Sequence, residues 1–110
     1  MPSKPRKGVQ ERVADALVAL TTGAAEVLHH TKTAWSSATF SGERHTVRLE
    51  FSGHDALAAS AMFEAELPGH EFDIVGHLVC DAGVAIGEHD YIGEAVSVIL
   101  TAQLLLLKDE

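Results

Sequence analysis

Residues 70–90, HEFDIVGHLVCDAGVAIGEHD, bring many side chains that could carry out chemistry into one short span of this chain of 110 residues. The stretch contains three histidines, five carboxylates and the only cysteine. Imidazole, carboxylate and thiolate groups are the usual zinc ligands, and they also serve in general acid–base catalysis. The function therefore depends on whether the fold brings these side chains to one point or spreads them along one element.

The alternation of residue types through this stretch predicts a strand. Even positions from Phe72 to Ile86 are mostly apolar, while the odd positions carry most of the polar side chains. Glu88-His89-Asp90 is predicted to form a turn, and Tyr91 to about Leu107 a returning strand of similar length. The two strands would form a long C-terminal hairpin with one buried side.

A three-residue turn at 88–90 also predicts how the two strands pair. On the core side Cys80 is expected opposite Val98, as a small buried apolar side chain. The expected pairs on the other side are His77 with Thr101, Val79 with Ile99, and Asp81 with Ser97. His77 and Asp81 would lie about 13 Å apart on one face of a strand, too far to share a metal ion or a proton. On this interpretation the side chains do not form a cluster, because they occupy the polar positions along an amphipathic hairpin.

Other sequence signals for catalysis are weak. His29 and His30 are adjacent, and adjacent helical residues point about 100° apart, which makes them a poor ligand pair. The sequence has no CxxC, HExxH, GxSxG or glycine-rich phosphate loop. No nucleophile, base and orienting group can be assembled from it. The sequence therefore favours a protein without enzyme activity but does not decide the question, and we expect no metal site within one chain and no cofactor.

Periodicity predicts the elements before the hairpin. Apolar residues from Val9 to Leu28 recur with a helical period, which predicts one helix over about 9–30; a helix that ends near residue 20 and is followed by a strand is the alternative. The next segments predict a hairpin with its turn at 41–44, whose first strand alternates too poorly for its faces to be assigned. The second strand is expected to bury four residues: His45, Val47, Leu49 and Phe51.

A second helix is predicted after this hairpin. Ser52 and Asp55 match the capping-box pattern, ALAASAMFEAEL follows, and Pro68-Gly69 ends the helix. The order is αββαββ. It predicts an α+β fold of two layers, with the helices on one face of a mainly antiparallel four-stranded sheet.

The composition limits the partners. The formal net charge is −8, and four of the eight basic residues lie within the first twelve. We expect residues 1–8 to be a disordered basic tail and residues 9–110 to form a single acidic domain, which disfavours nucleic acid as a partner. The longest apolar stretch, 95–107, is shorter than the roughly 20 residues of a membrane-spanning helix. We expect a cytoplasmic protein without a membrane partner.

The outer face of the long hairpin is predicted to carry apolar residues that two helices on the opposite face cannot cover. The expected interface residues are Val75, Val79, Ile99 and Leu105. The expected ligand-binding residues are His77, Asp81, Ser97 and Thr101. The favoured function is a non-enzymatic interaction or small-ligand-binding module, as a homodimer. The alternatives are a small metal-binding protein or enzyme whose site forms between subunits, and an acidic neutralising partner of a basic protein.

Overall fold

The structure is a computed structural model that describes residues 8–92 and 95–108. Over these residues the chain follows the predicted order αββαββ, an α+β fold whose C-terminal half includes a long hairpin. The elements are α1 (Val9–Leu20), β1 (Ala25–Ser36), β2 (Ser41–Ser52), α2 (Ala56–Glu66), β3 (His77–Ile92) and β4 (Ala95–Lys108), with a 3-10 turn at Leu67–Gly69. Residues 1–7, most of the predicted basic tail, lie outside the described residues.

The first helix ends earlier than the favoured prediction. A helix over 9–30 is wrong, and the alternative of a helix that ends near residue 20 before a strand is confirmed. Thr22 and Gly23 have φ values of 55° and 80°, which stop the helix and turn the chain. The Thr21 hydroxyl donates to the Val18 carbonyl at 2.7 Å and accepts from the Ala25 amide at 3.3 Å. Of the apolar residues that continued the helical spacing past residue 20, Val27 packs against the core, whereas Ala24 and Leu28 are exposed.

The four strands form one sheet in the order β1-β2-β4-β3, and each neighbouring pair is antiparallel. We call the side that packs against the helices the inner face and the opposite side the outer face. The four predicted inward residues of β2 are confirmed, each with no exposed surface: His45, Val47, Leu49 and Phe51. Alternate β4 residues from Val98 to Leu106 complete the inner face.

The helices pack only on the inner face of the described sheet. Val13 and Leu17 of α1 and Phe63 of α2 join the buried cluster with β2 and β4. The Phe63 ring lies against Phe51, with centroids 5.7 Å apart. Neither α1 nor α2 has the length and apolar content of a membrane-spanning helix.

Two local turn predictions are wrong. The connection between β1 and β2 is Ser37–Phe40, closed by a 2.8 Å bond from the Ser37 amide to the Phe40 carbonyl, so residues 41–44 belong to β2. The N-cap of α2 is Asp55 without a side-chain cap, so Ser52 forms no capping box. In both cases the sequence has residues typical of a turn or cap, but these residues belong to β2, which is longer than the local pattern indicates.

The long hairpin differs most from its prediction. Pairing continues to Ile92 with Ala95, so the expected turn at 88–90 is wrong and those residues lie in β3. Two bulges, at Cys80 and Ala85, each insert one residue into β3 relative to β4. Each bulge reverses the alternation. The β3 residues that face inward therefore have odd numbers before Cys80, even numbers between the two bulges, and odd numbers again after Ala85.

The shifted register changes the predicted pairs. The pairs of Cys80 with Val98, His77 with Thr101, Val79 with Ile99 and Asp81 with Ser97 are all wrong. The observed pairs are His77 with Lys108, Val79 with Leu106, and Asp81 with Leu105. Cys80 is exposed, because its bulge takes it out of the alternation, and the prediction of a buried thiol is wrong.

Candidate functional site

The register arranges the outer face in rows that cross the sheet. The row at one end, which we call the apolar row, is apolar from edge to edge and consists of Trp35, Gly42, Leu107 and Leu78. The next row, which we call the charged row, consists of Thr33, Arg44, Leu105 and Asp81. Two rows further along, His29, Arg48, Thr101 and Ile86 lie side by side, followed by Glu50, Ile99 and Glu88 on the next level.

Large apolar side chains are therefore present on a face that neither helix covers. Leu78 is 54% exposed and Ile86 is 56% exposed, while Ile99, Leu105 and Leu107 are half-buried by their neighbours in the sheet. Scattered single apolar residues are normal on a protein surface, but a contiguous set marks a surface for interaction. We call Leu78, Leu105 and Leu107, together with Ile86 and Ile99, the apolar stripe; on β4 the polar residues Thr101 and Gln103 separate its two ends.

Charged side chains flank the apolar stripe with opposite signs. β2 contributes Arg44 and Arg48, together with the acid Glu50, on one side of β4, and β3 contributes Asp81, Glu88 and Asp90 on the other. The Arg48 guanidinium Nη2 lies 3.5 Å from the Glu88 carboxylate Oε2, across β4. A shallow depression of about 160 Å³ opens beside the charged row, lined in part by Arg44, Asp81, Gly83 and Leu105.

The predicted ligand-binding residues do not meet in one chain. Asp81, Ser97 and Thr101 lie on the outer face, but Asp81 pairs with Leu105 and so lies roughly 13 Å along the strands from Thr101. The Ser97 hydroxyl donates to the Glu50 carboxylate at 3.1 Å. His77 lies on the inner face, because the bulge at Cys80 separates its alternation from that of Asp81. Their role in binding stays a prediction.

The predicted interface residues are also divided. Ile99 and Leu105 lie on the outer face as expected. Val79 faces inward against the buried cluster, and Val75 lies in the loop before β3, 75% exposed. The Val75 carbonyl accepts a 3.2 Å hydrogen bond from the Arg12 guanidinium of α1, so this part of the loop lies on the helical side.

A hydrogen-bonded chain of side chains on the inner face was missed by the sequence analysis. His45 has no exposed surface; its Nδ1 lies 2.8 Å from His30 Nε2, and its Nε2 lies 3.1 Å from the Glu43 carboxylate. Lys32 Nζ lies 3.8 Å from the other Glu43 oxygen. We call His30, His45 and Glu43 the histidine relay. The available signal was a histidine at an inward position of β2, since a buried imidazole needs partners for both ring nitrogens.

The environment keeps both imidazoles neutral. Burial, together with the positive charges that His45, His29 and Lys32 can carry, lowers the pKa of His30 to about 4. Burial also lowers the pKa of His45, although the hydrogen bond and charge of Glu43 oppose the shift. With both rings neutral, His30 Nε2–H donates to His45 Nδ1, and His45 Nε2–H donates to Glu43. The relay then joins β1 to β2 without a buried positive charge.

Only the His30 end of the relay borders an open depression, since His45 has no exposed surface. His30 borders a depression of about 520 Å³ between α1 and β1, lined also by Gln10, Glu11 and Lys32. The side chains described around it include no hydroxyl or thiol that a neutral histidine could activate. Among residues 8–92 and 95–108, no three side chains of His, Cys, Asp or Glu are arranged to hold a metal ion. The geometry of the relay supports a structural role.

Comparison with known proteins shows the fold and no more. No protein-family model and no curated protein matches the chain. A solved chain from the "Virion of native gene transfer agent (GTA) particle" has a similar structure, with a TM-score of 0.63 and 14% sequence identity over 90% of this chain and 91% of that chain. The protein is thus similar in fold to a chain of that particle.

Proposed function

We propose that this chain is a non-enzymatic interaction module that binds a protein partner through the outer face of its sheet. The observation that carries the proposal is the apolar stripe of β4 and β3 on the face that the helices leave uncovered. Burying a Leu or Ile side chain contributes roughly 1.5–3 kcal/mol, so a partner that covers Leu78, Ile86 and Leu105 would gain substantial free energy.

The shape of this face favours a protein over a small molecule. The depression at Asp81 holds only about 160 Å³, whereas small-molecule pockets usually hold roughly 300–1,000 Å³ and bury most of the ligand. The structural neighbour belongs to a virion, a particle built from many protein subunits, and this also supports a protein partner. A homodimer is the simplest form of the module.

The two other functions drawn from the sequence rank behind this one. A metal or catalytic site between subunits would have to use Asp81, Ser97 or Thr101 on the same outer face. An acidic partner for a basic protein would use the acidic residues of β3, of which Glu88 is already paired with Arg48. Both remain predictions.

Sedimentation velocity over roughly 1–100 μM protein tests the proposal, since this range covers weak association. We expect concentration-dependent association in the native chain and its loss in Ile86→Lys. Met62→Lys is the matched control, because Met62 is 61% exposed on α2 and Ile86 is 56% exposed on the outer face. Circular dichroism would check that both variants are folded.

Two outcomes contradict the homodimeric form of the proposal. A native chain that sediments as a monomer at every concentration would remove self-association through this face. If Met62→Lys and Ile86→Lys weakened association equally, the contact would not be specific to the outer face.

A further inference from the structure

We infer that the partner on the outer face is a second copy of this chain, stacked face to face about a two-fold axis that runs along β4. The inference rests on the proposed function and goes beyond it by naming the partner and its orientation. It comes from the charged row, in which Arg44 and Asp81 lie at one level on opposite sides of Leu105.

A two-fold axis along β4 exchanges the strands on its two sides and leaves their levels unchanged. β2 of one copy then lies over β3 of the other, so Arg44 lies over Asp81 of the second copy. Symmetry repeats this contact, which gives two charge pairs for each dimer. Within one chain the backbones of Arg44 and Asp81 are two strand spacings apart, about 9.6 Å, whereas stacking about β4 places each directly over the opposite charge of the second copy.

The apolar residues also match under this symmetry. Leu105 and Leu107 of β4 lie over their own counterparts and form a continuous apolar seam. Leu78 lies over Gly42 of the second copy, which has no side chain to oppose it. The depression lined by Arg44, Asp81 and Gly83 lies under the charge pair, so Arg44 of the second copy meets Asp81 at its rim.

Other two-fold axes bring like charges together. An axis across the strands stacks β3 on itself and so places Asp81, Glu88 and Asp90 among the same acids of the second copy. An axis along β2 opposes two Arg44 side chains, and an axis along β3 opposes two Asp81 side chains. With the axis along β4, Glu50 approaches Glu88 of the second copy, and the nearby Arg48 guanidinium offsets this repulsion.

The area is sufficient for a weak dimer. β2 and β4 pair over 11 levels, from Gly42 with Leu107 to Ser52 with Ser97. Three strands about 4.8 Å apart, with levels about 3.4 Å apart, give a footprint of roughly 500 Å² per copy. The total of about 1,000 Å² is at the threshold for a biological interface and below the roughly 1,200 Å² of stable ones, so the dimer is expected to be weak.

Charge reversal tests the axis. We expect Arg44→Asp alone and Asp81→Arg alone each to raise the dimer dissociation constant about tenfold or more, because each homodimer then opposes like charges twice. An equimolar mixture of the two single variants is expected to form a heterodimer, since every charge pair is again of opposite sign. The double variant should recover an affinity within about threefold of the native chain.

Native mass spectrometry and sedimentation of the singles, their mixture and the double variant provide the measurement. Glu64→Arg is the matched control, because Glu64 is an exposed acid on α2, and its dissociation constant should be unchanged. If Ile86→Lys weakens association while the mixture forms no heterodimer and the double variant does not recover, the axis is wrong and the proposed function stands. If neither Ile86→Lys nor charge reversal changes association, both are wrong.

Discussion

At the scale of single residues, the histidine relay shows how a polar group is accommodated in this core. His45 has no exposed surface, and burial without partners would cost it roughly 1–3 kcal/mol for each unsatisfied nitrogen. His30 and Glu43 satisfy both nitrogens, one from the neighbouring strand and one from two residues earlier in β2. The relay stabilises the pairing of β1 with β2 only while its rings are neutral.

Acidification should therefore destabilise the protein through His30. Its pKa is about 4 in the folded chain and 6.5 unperturbed, so the unfolded chain takes up the proton first. The unfolding free energy falls as the pH falls from 6.5, and the loss is complete near pH 4. We expect a loss of about 1–2 kcal/mol, a value already reduced for the partial exposure of the His30 ring. His30→Gln keeps a donor to His45 and removes the titration.

Urea unfolding of both proteins at about pH 7 and about pH 4.5 measures this contribution, because the carboxylates titrate equally in the two. The native chain should lose more stability than His30→Gln. Equal losses would contradict the assignment.

Cys80 provides a second residue-scale prediction. The bulge leaves its thiol exposed, so an aromatic disulfide reagent should label one thiol in the native chain without denaturant. Labelling of dilute native protein should proceed at a rate within about tenfold of that in urea. A thiol that reacts only after unfolding would indicate the uninterrupted alternation of the sequence prediction.

At the scale of elements, close approach of β2 and β4 sets the register of the outer face. A Cβ at Gly42 would collide with the Leu106 carbonyl oxygen, whereas a Cβ at Gly83 would meet no atom within 4 Å. Glycine at position 42 thus allows the pairing that aligns the apolar row and the charged row.

Alanine at these two glycines should have very different effects. We expect Gly42→Ala to lower the unfolding free energy by about 3 kcal/mol or more, because backbone must move to relieve the collision. Gly83→Ala is the matched control on the same face, with an expected change within about 0.5 kcal/mol. Chemical denaturation measures both, and similar values would contradict the close approach.

At the scale of the whole molecule, face-to-face stacking uses the side chains of the outer face, whereas edge-to-edge pairing uses the backbone amides of an edge strand. β1 and β3 are the edge strands, and residues 85–91 of β3 are all exposed. An edge strand presents unpaired amides to a partner strand, while stacking leaves those amides unbonded.

Hydrogen exchange distinguishes the two arrangements. We expect the amides of residues 85–91 that point away from β4 to exchange equally fast at low and high protein concentration, because stacking supplies them with no acceptor. Mass spectrometry of exchange at two concentrations measures this. Protection of alternate amides on association would instead indicate pairing through the edge of β3.

The sequence by itself determined the element order, the α+β class and the inward residues of β2. Each of these depends on the local periodicity of apolar residues, which can be read from neighbouring positions along the chain. The apolar content of the outer face could also be expected, because two helices cannot cover both sides of a long hairpin. Ile99 and Leu105 were placed on that face correctly for this reason.

Only the tertiary structure decided which outer residues share a row. Two bulges in β3, and pairing that continues to Ile92 with Ala95 instead of ending before residue 88, shifted every predicted pair, since a one-residue slip moves a side chain to the other face. The pairing of β3 with β4, rather than local residue preference, determines where the alternation of β3 reverses. The same long-range pairing brought His30 to His45 and aligned Arg44 with Asp81, which no spacing along the chain could indicate.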